Sequence, residues 1–228
     1  MINGILIGIF ELVLFFSISK KIKNNYKQLV TIHNIPYYWF MFTILTMIWE
    51  ISFIYQYDTV IQLSDEYIKH KEHVWTNEYN LSYILPWKLS NIFYAEYGAY
   101  ADRQYMIKYN NWSWVIEGSH ALMCGMGSFF GILNKINENE SNYLILVSIS
   151  MGSQLMNSFL YLSNYFIQIN DPYNINYNSK IFPTGHLLYE RPFMYVNIFW
   201  TFMPILVILS LLKNNKKNIY NNQLKIIV

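Results

Sequence analysis

Four ionisable side chains stand inside stretches that are otherwise apolar: Glu11, Glu50, Glu117 and His120. A charged group at the centre of a bilayer costs about 2.5–3.5 kcal/mol on insertion scales, so such a residue in a spanning helix marks a function or is tied to a polar partner. Glu117 and His120 are three apart, which puts them on one helix face about a turn from each other. Carboxyl groups and an imidazole held away from water suit general acid–base work, in which one group gives a proton and another takes one. The polar residues that accompany them repeat the same spacing, with Gln154 three before Asn157 and Asn197 three before Trp200. Such stripes must point into a bundle, since lipid offers no hydrogen-bond partners. Two readings compete for them: a chemical site, or glue in which amides and carboxyls tie helices together. Glue alone accounts for Gln154 and Asn157. It does not require two carboxylates, and so Glu50 with Glu117 points to function. Glu11, close to an interface in a short segment, reads as structural or snorkelling.

The elements that would carry these residues follow from composition. Only 13% of the 228 residues are charged, against roughly 25% in an ordinary soluble domain, while 54% are hydrophobic and 19% aromatic. Disordered chains lack such aromatic content. The net charge of +2 leaves no surplus of Lys and Arg to neutralise phosphates, which excludes nucleic acid as a partner. The single cysteine, Cys124, cannot make an internal disulfide or a Cys-based zinc site. An all-α integral membrane protein remains. A span needs about 20 mostly apolar residues, and five stretches qualify: Gly4–Ser19, Tyr37–Tyr55, Trp112–Leu133, Tyr143–Ile167 and Phe193–Leu212. The first is short, and a signal peptide is its alternative, although no basic region precedes it and no cleavage site precedes its lysines. Pro36 suits the opening turn of the second, and Pro204 predicts a kink in the last. The expected organisation is a first helix with a basic loop (1–36), a four-helix domain (37–212) and a basic tail (213–228).

Counting Lys and Arg by side gives nine against seven, with Lys20, Lys21, Lys23 and Lys27 among the denser set. The positive-inside rule then favours a cytoplasmic C-terminus and an N-terminus on the far side. The connection Gln56–Asn111 is long and rich in Trp, Phe and Tyr, and is expected to pack against the bundle. Near its end, Glu96, Asp102 and Arg103 alternate with Tyr97, Tyr100 and Tyr105. An Asp–Arg pair pinning the loop to the bundle mouth and a ligand-binding role are both open there. There is no internal repeat and no second domain.

Glu96-Tyr97-Gly98, then Asp102-Arg103 and Tyr105, then Glu117 on a membrane helix resembles the central pattern of the EXPERA superfamily, which includes sterol Δ8–Δ7 isomerases of the emopamil-binding type and sigma-2-receptor-like proteins. Val147-Ser148 with Gly152 and Gln154 is similar to that family's fourth helix, and Asn197-Ile198-Phe199-Trp200 ahead of Pro204 to its last. Glu50 falls where the family keeps a glutamate. The resemblance covers about residues 37–212. Two positions depart from the isomerases: Thr46 stands where they have a histidine, and the Asp-x-Arg-Tyr spacing becomes Asp102-Arg103-Gln104-Tyr105.

The resemblance implies a five-helix bundle that moves a double bond within a sterol ring. One group protonates an alkene carbon, a carbocation forms, and a second group removes a proton from the neighbouring carbon. Glu50 and Glu117 would handle the protons. Trp200 would face the cation, an attraction of roughly 0.5–2 kcal/mol, and Asn197 would orient a carboxylate or bind a sterol oxygen. His120 could stand in for the absent histidine, or could simply hydrogen-bond a neighbouring helix. Thr46, Asp102, Arg103, Tyr105, Gln154, Asn197 and Trp200 would line the substrate. No cofactor or metal is expected. The partners would be a sterol or other hydrophobic small molecule, cationic amines, the bilayer and a second copy in a homodimer. The location would be the endoplasmic reticulum, with the N-terminus lumenal. A binder of sterols or amines without turnover, or a chaperone-like membrane protein, is the alternative; a channel is disfavoured, because the stripes mix amides, acids and Trp.

Overall fold

The computed structural model describes residues 1–103, 111–168, Tyr173 and 193–227, and 85% of those described are helical. Helix α1 (Gly4–Asn25) begins where the Asn3 side chain accepts the Ile5 amide at 2.9 Å, the usual service of Asn as an N-cap. Its buried face is Gly4, Ile7, Gly8, Glu11 and Ser19, while Leu6, Phe10, Val13 and Leu14 point outward. A short turn, α2 (Lys27–Val30), leads to α3 (Asn34–Tyr55). Helix α3 opens two residues before Pro36, which therefore lies within the first turn, where a missing N–H costs nothing. Lys23, expected as a solvent charge in a basic loop, is buried instead: its ammonium donates to the Ile32 carbonyl at 2.8 Å and to Asn34 Oδ1 at 2.7 Å. It staples the end of α1 to the start of α3.

The connection expected between the second and third spans is itself helical. Helix α4 (Tyr57–His70) buries Val60, Ser64 and Tyr67, one face at helical spacing, and α5 (Pro86–Tyr100) buries Leu89, Ile92, Ala95, Glu96 and Ala99. The two pack on each other, and α5 also packs on α3. Between them, a two-residue strand β2 (Glu78–Tyr79) pairs antiparallel with β1 (Ile2–Asn3), so residues 2–3 lie on the same side as this connection. After it come α6 (Asn111–Ile136), α7 (Glu140–Gln168) and α8 (Phe193–Ile227), the last containing Pro204 and running well past the expected end at Leu212.

Helix α6 packs between α3 and α7, α7 packs on α8, and α8 returns to α3, which closes a ring of four. Its core includes Phe40, Met41, Val147, Met151 and Val207. Glycines permit the close approaches: a Cβ on Gly125 would sit 2.4 Å from Met47 Cβ, and one on Gly131 2.6 Å from Val147 Cγ1. Among the described residues, three helices are long and apolar enough to cross a membrane: Asn34–Tyr55, Glu140–Ile167 and Tyr195–Lys213. The other two expected spans are helical in α1 and α6, which carry Glu11 and lysines in one case and Glu117, His120 and Lys135 in the other.

Candidate functional site

The antiparallel ring brings the C-terminal part of α3, the N-terminal part of α6, the C-terminal half of α7 and the start of α8 to one end, where α5 lies across α3. Glu50 and Glu117 meet there, within electrostatic reach of each other. The Tyr94 hydroxyl of α5 donates to Glu50 Oε2, and the Tyr94 ring lies flat on Phe53 at 4.6 Å. Asn157 Nδ2 of α7 donates to Glu117 Oε2 at 3.1 Å. One turn further along α7, Tyr161 donates to Asp102 Oδ2 at 2.6 Å, and its hydroxyl also meets that of Tyr97. Tyr97 is hydrogen-bonded in turn to Asn197 at the head of α8. Five helices and the residues just after α5 thus supply one polar cluster. Four of the expected residues stand in it: Glu50, Glu117, Asp102 and Asn197.

A second level lies deeper in the ring and is mostly aromatic. Trp200 stacks on Phe42 with centroids 5.4 Å apart and planes at 4°, and touches Trp39 at 4.9 Å. The Trp39 indole N–H donates to Gln154 Oε1 at 2.8 Å, so Gln154 serves here as a tie between α3 and α7. Thr46 donates to the Thr43 carbonyl of its own helix at 3.1 Å. His120 Nδ1 lies 3.3 Å from Cys124 Sγ, and its ring is also hydrogen-bonded to the Ser153 backbone of α7. The structure therefore joins His120 to α7 and does not join it to either carboxylate among the described contacts. Below, Thr43 Oγ1 donates to Ser128 Oγ at 2.7 Å, which lies 2.9 Å from Ser150 Oγ. This buried hydroxyl chain couples α3, α6 and α7 as interhelical glue.

Arg103 departs from the cluster. Its guanidinium reaches Asp65, and donates to Ser64 Oγ at 3.0 Å, both on α4. Asp102 and Arg103 thus face different helices, and the Asp–Arg pair that would pin the loop is replaced by two separate ties. Tyr105 lies outside the described residues. Glu96 is wholly buried beneath α4 and the strand region, accepting from the Val74 amide at 2.9 Å and lying 2.7 Å from His73 Nδ1. Burial pushes its carboxyl above the usual carboxylate range, against the pull of those two partners. The His73 ring stacks on Trp75 at 4.2 Å and lies 4.0 Å from Tyr100. Glu11 does not snorkel: it is 3% exposed, and its Oε1 accepts the Trp49 indole N–H at 3.1 Å.

Tyr94 and Tyr161 are the members of the cluster that sequence reasoning missed. Both were signalled by period alone, since Tyr94 and Tyr97 are three apart on α5, and Tyr161 continues the stripe of Gln154 and Asn157. Among 21 tyrosines that signal does not stand out. Comparison of the chain with protein-family models, curated proteins and solved structures returns no match in any of the three.

Proposed function

We propose that the chain is an EXPERA-type protein of an internal membrane that shifts a ring double bond in a sterol-sized lipid by protonation and deprotonation. In this reading α1, α3, α6, α7 and α8 are its five spans, and the orientation is that favoured by the lysine count. One carboxyl of the Glu50–Glu117 pair gives a proton to the alkene carbon, and the other removes one from the neighbouring carbon. Trp200 and its aromatic neighbours stabilise the positive charge in between, and the bundle excludes water that would capture it. The observation that carries the reading is the convergence of Glu50 and Glu117 from two helices on one cluster, each accepting from a neutral donor, Tyr94 or Asn157.

The test is incubation of the purified protein in lipid nanodiscs with a Δ8-sterol, followed by mass-spectrometric analysis of double-bond position. Conversion that disappears in Glu117→Gln supports the assignment; equal conversion by that variant refutes it.

One pair of contacts favours binding without turnover. Thr46, standing where the isomerases have a histidine, donates to its own helix, and His120 is held by α7. On that reading lipophilic amines bind tightly while the sterol is recovered unchanged.

A further inference from the structure

The hydrogen bonds around Asp102 have a direction. Tyr161 has one hydroxyl proton, and it is committed to Asp102 Oδ2 at 2.6 Å. In the contact between the two tyrosine hydroxyls, Tyr97 must therefore be the donor and Tyr161 the acceptor. Asn197, hydrogen-bonded to the same Tyr97 hydroxyl, then supplies its N–H to that oxygen. Every proton in the series points the same way, from α8 through α5 and α7 toward Asp102. Tyr97 also lies within electrostatic reach of Glu117. Asp102, 9% exposed, stands immediately after α5, at the end of the ring rather than in its middle.

A double-bond shift leaves the two carboxyls in exchanged states. The donor has lost its proton and the acceptor holds the one taken from the lipid, so the site must be reset before it can turn over again. We infer that Tyr97, Tyr161 and Asp102 form the proton exit of the site. The proton taken from the lipid passes from Glu117 to the Tyr97 oxygen as Tyr97 gives its own to Tyr161 and Tyr161 gives its own to Asp102. Each hydroxyl gains one proton and loses one, Asp102 releases one proton to water, and Glu50, the carboxyl that protonated the alkene, takes one back from water, so both carboxyls return to their starting states. The tyrosines are positioning and relay residues and touch no substrate carbon. This inference rests on the isomerase reading.

The experiment uses full-length protein in nanodiscs and a Δ8-sterol deuterated at the carbon that loses its proton. With the exit intact, the label leaves to water, and the carbon that gains a proton carries none. In Tyr161→Phe the ring and its packing remain but the relay is cut. The label then stays on the carboxyl pair and appears at the newly protonated carbon of later product molecules, while kcat falls and KM holds. Tyr97→Phe behaves in the same way, and a merely structural loss would lower turnover without moving the label. Label-free product from both variants, whether or not kcat falls, overturns the exit and leaves the isomerase standing. No product from the wild-type protein overturns the reaction and the exit together.

Discussion

Gly125 lets α6 approach α3 closely, and replacing it tests the frame on which the site is built. An added Cβ would lie 2.4 Å from both Met47 Cβ and Met47 Sδ. The sulfur can swing away; the Cβ is fixed to the α3 backbone, so the helices themselves must separate. Overpacking of this kind costs about 1–3 kcal/mol, and a Cβ-to-Cβ collision belongs at the upper end. Alanine returns about 1 kcal/mol over glycine in a helix interior, leaving a net loss of roughly 1–2 kcal/mol for Gly125→Ala. Gly152 on α7 is the internal control, because nothing lies within 4 Å of its would-be Cβ. There the same substitution should raise stability by about 0.5–1 kcal/mol. The assay is reversible unfolding in mixed micelles, followed by loss of helical circular dichroism. Because the obstructing atom is Met47's own Cβ, Met47→Ala should not rescue Gly125→Ala. If both glycine variants are stabilised alike, α3 and α6 do not meet as described, and the shared site of Glu50 and Glu117 falls with that contact.

Other outcomes follow from single contacts. Gln154→Leu leaves the buried Trp39 indole N–H without its acceptor and should cost about 1–3 kcal/mol in the same unfolding assay. Ser128→Ala cuts the hydroxyl chain between Thr43 and Ser150 and should cost only about 0.6–1.7 kcal/mol, the range of interhelical hydrogen bonds in lipid. Glu96 gives a pH dependence with a definite sign. Its carboxyl is raised by burial, so between its unfolded and folded values the native state holds the extra proton, and unfolding free energy falls as pH rises. Melting temperatures taken from about pH 4 to pH 7 should show this decline in the wild type and a flatter course in Glu96→Gln.

The helices and the inward polar stripes were legible in the sequence because lipid enforces them: apolar runs must be helical, and an acid within one must face inward. That argument found Glu50, Glu117 and Asn197, which the fold does gather, while Asp102 was singled out by its place where the chain approaches the membrane. It failed where a side chain had two satisfactory partners. Arg103 could have paired with its neighbour Asp102 or with α4, and only the tertiary path of the chain sends it to Ser64 and Asp65. Gln154 and Asn157 share a stripe, yet one holds Trp39 and the other Glu117, a difference of partner that period alone does not encode. The connection 56–100 packs against the bundle as expected, but its helices were not read, for another reason. Its helices bury Ser64, Glu96 and alanines among their faces, so the apolar period is diluted, and an aromatic-rich loop gives much the same composition.

The glycine contacts also say where along the ring a ligand would fit. At Gly125 the added atom strikes Met47 Cβ, next to the backbone of α3; at Gly118, two turns nearer the carboxylates, it strikes only Ile54 Cδ1, at 2.7 Å. An isoleucine that must extend to its tip to reach α6 means that the two backbones are further apart there. Helices α3 and α6 therefore diverge toward the end where Glu50, Glu117, Tyr94 and Asn157 lie, and the glycines and small hydroxyls hold them together at the other. Gly118→Ala should be nearly neutral in stability, because the Ile54 rotamer can yield while the helix gains about 1 kcal/mol of propensity. Enlarging the same position in Gly118→Leu should leave the fold intact, yet weaken binding of a lipophilic amine or sterol by filling the wider end. Unchanged ligand affinity in a folded Gly118→Leu protein would mean that the ligand does not enter between α3 and α6, and the carboxylate pair would lose its claim to be a binding site.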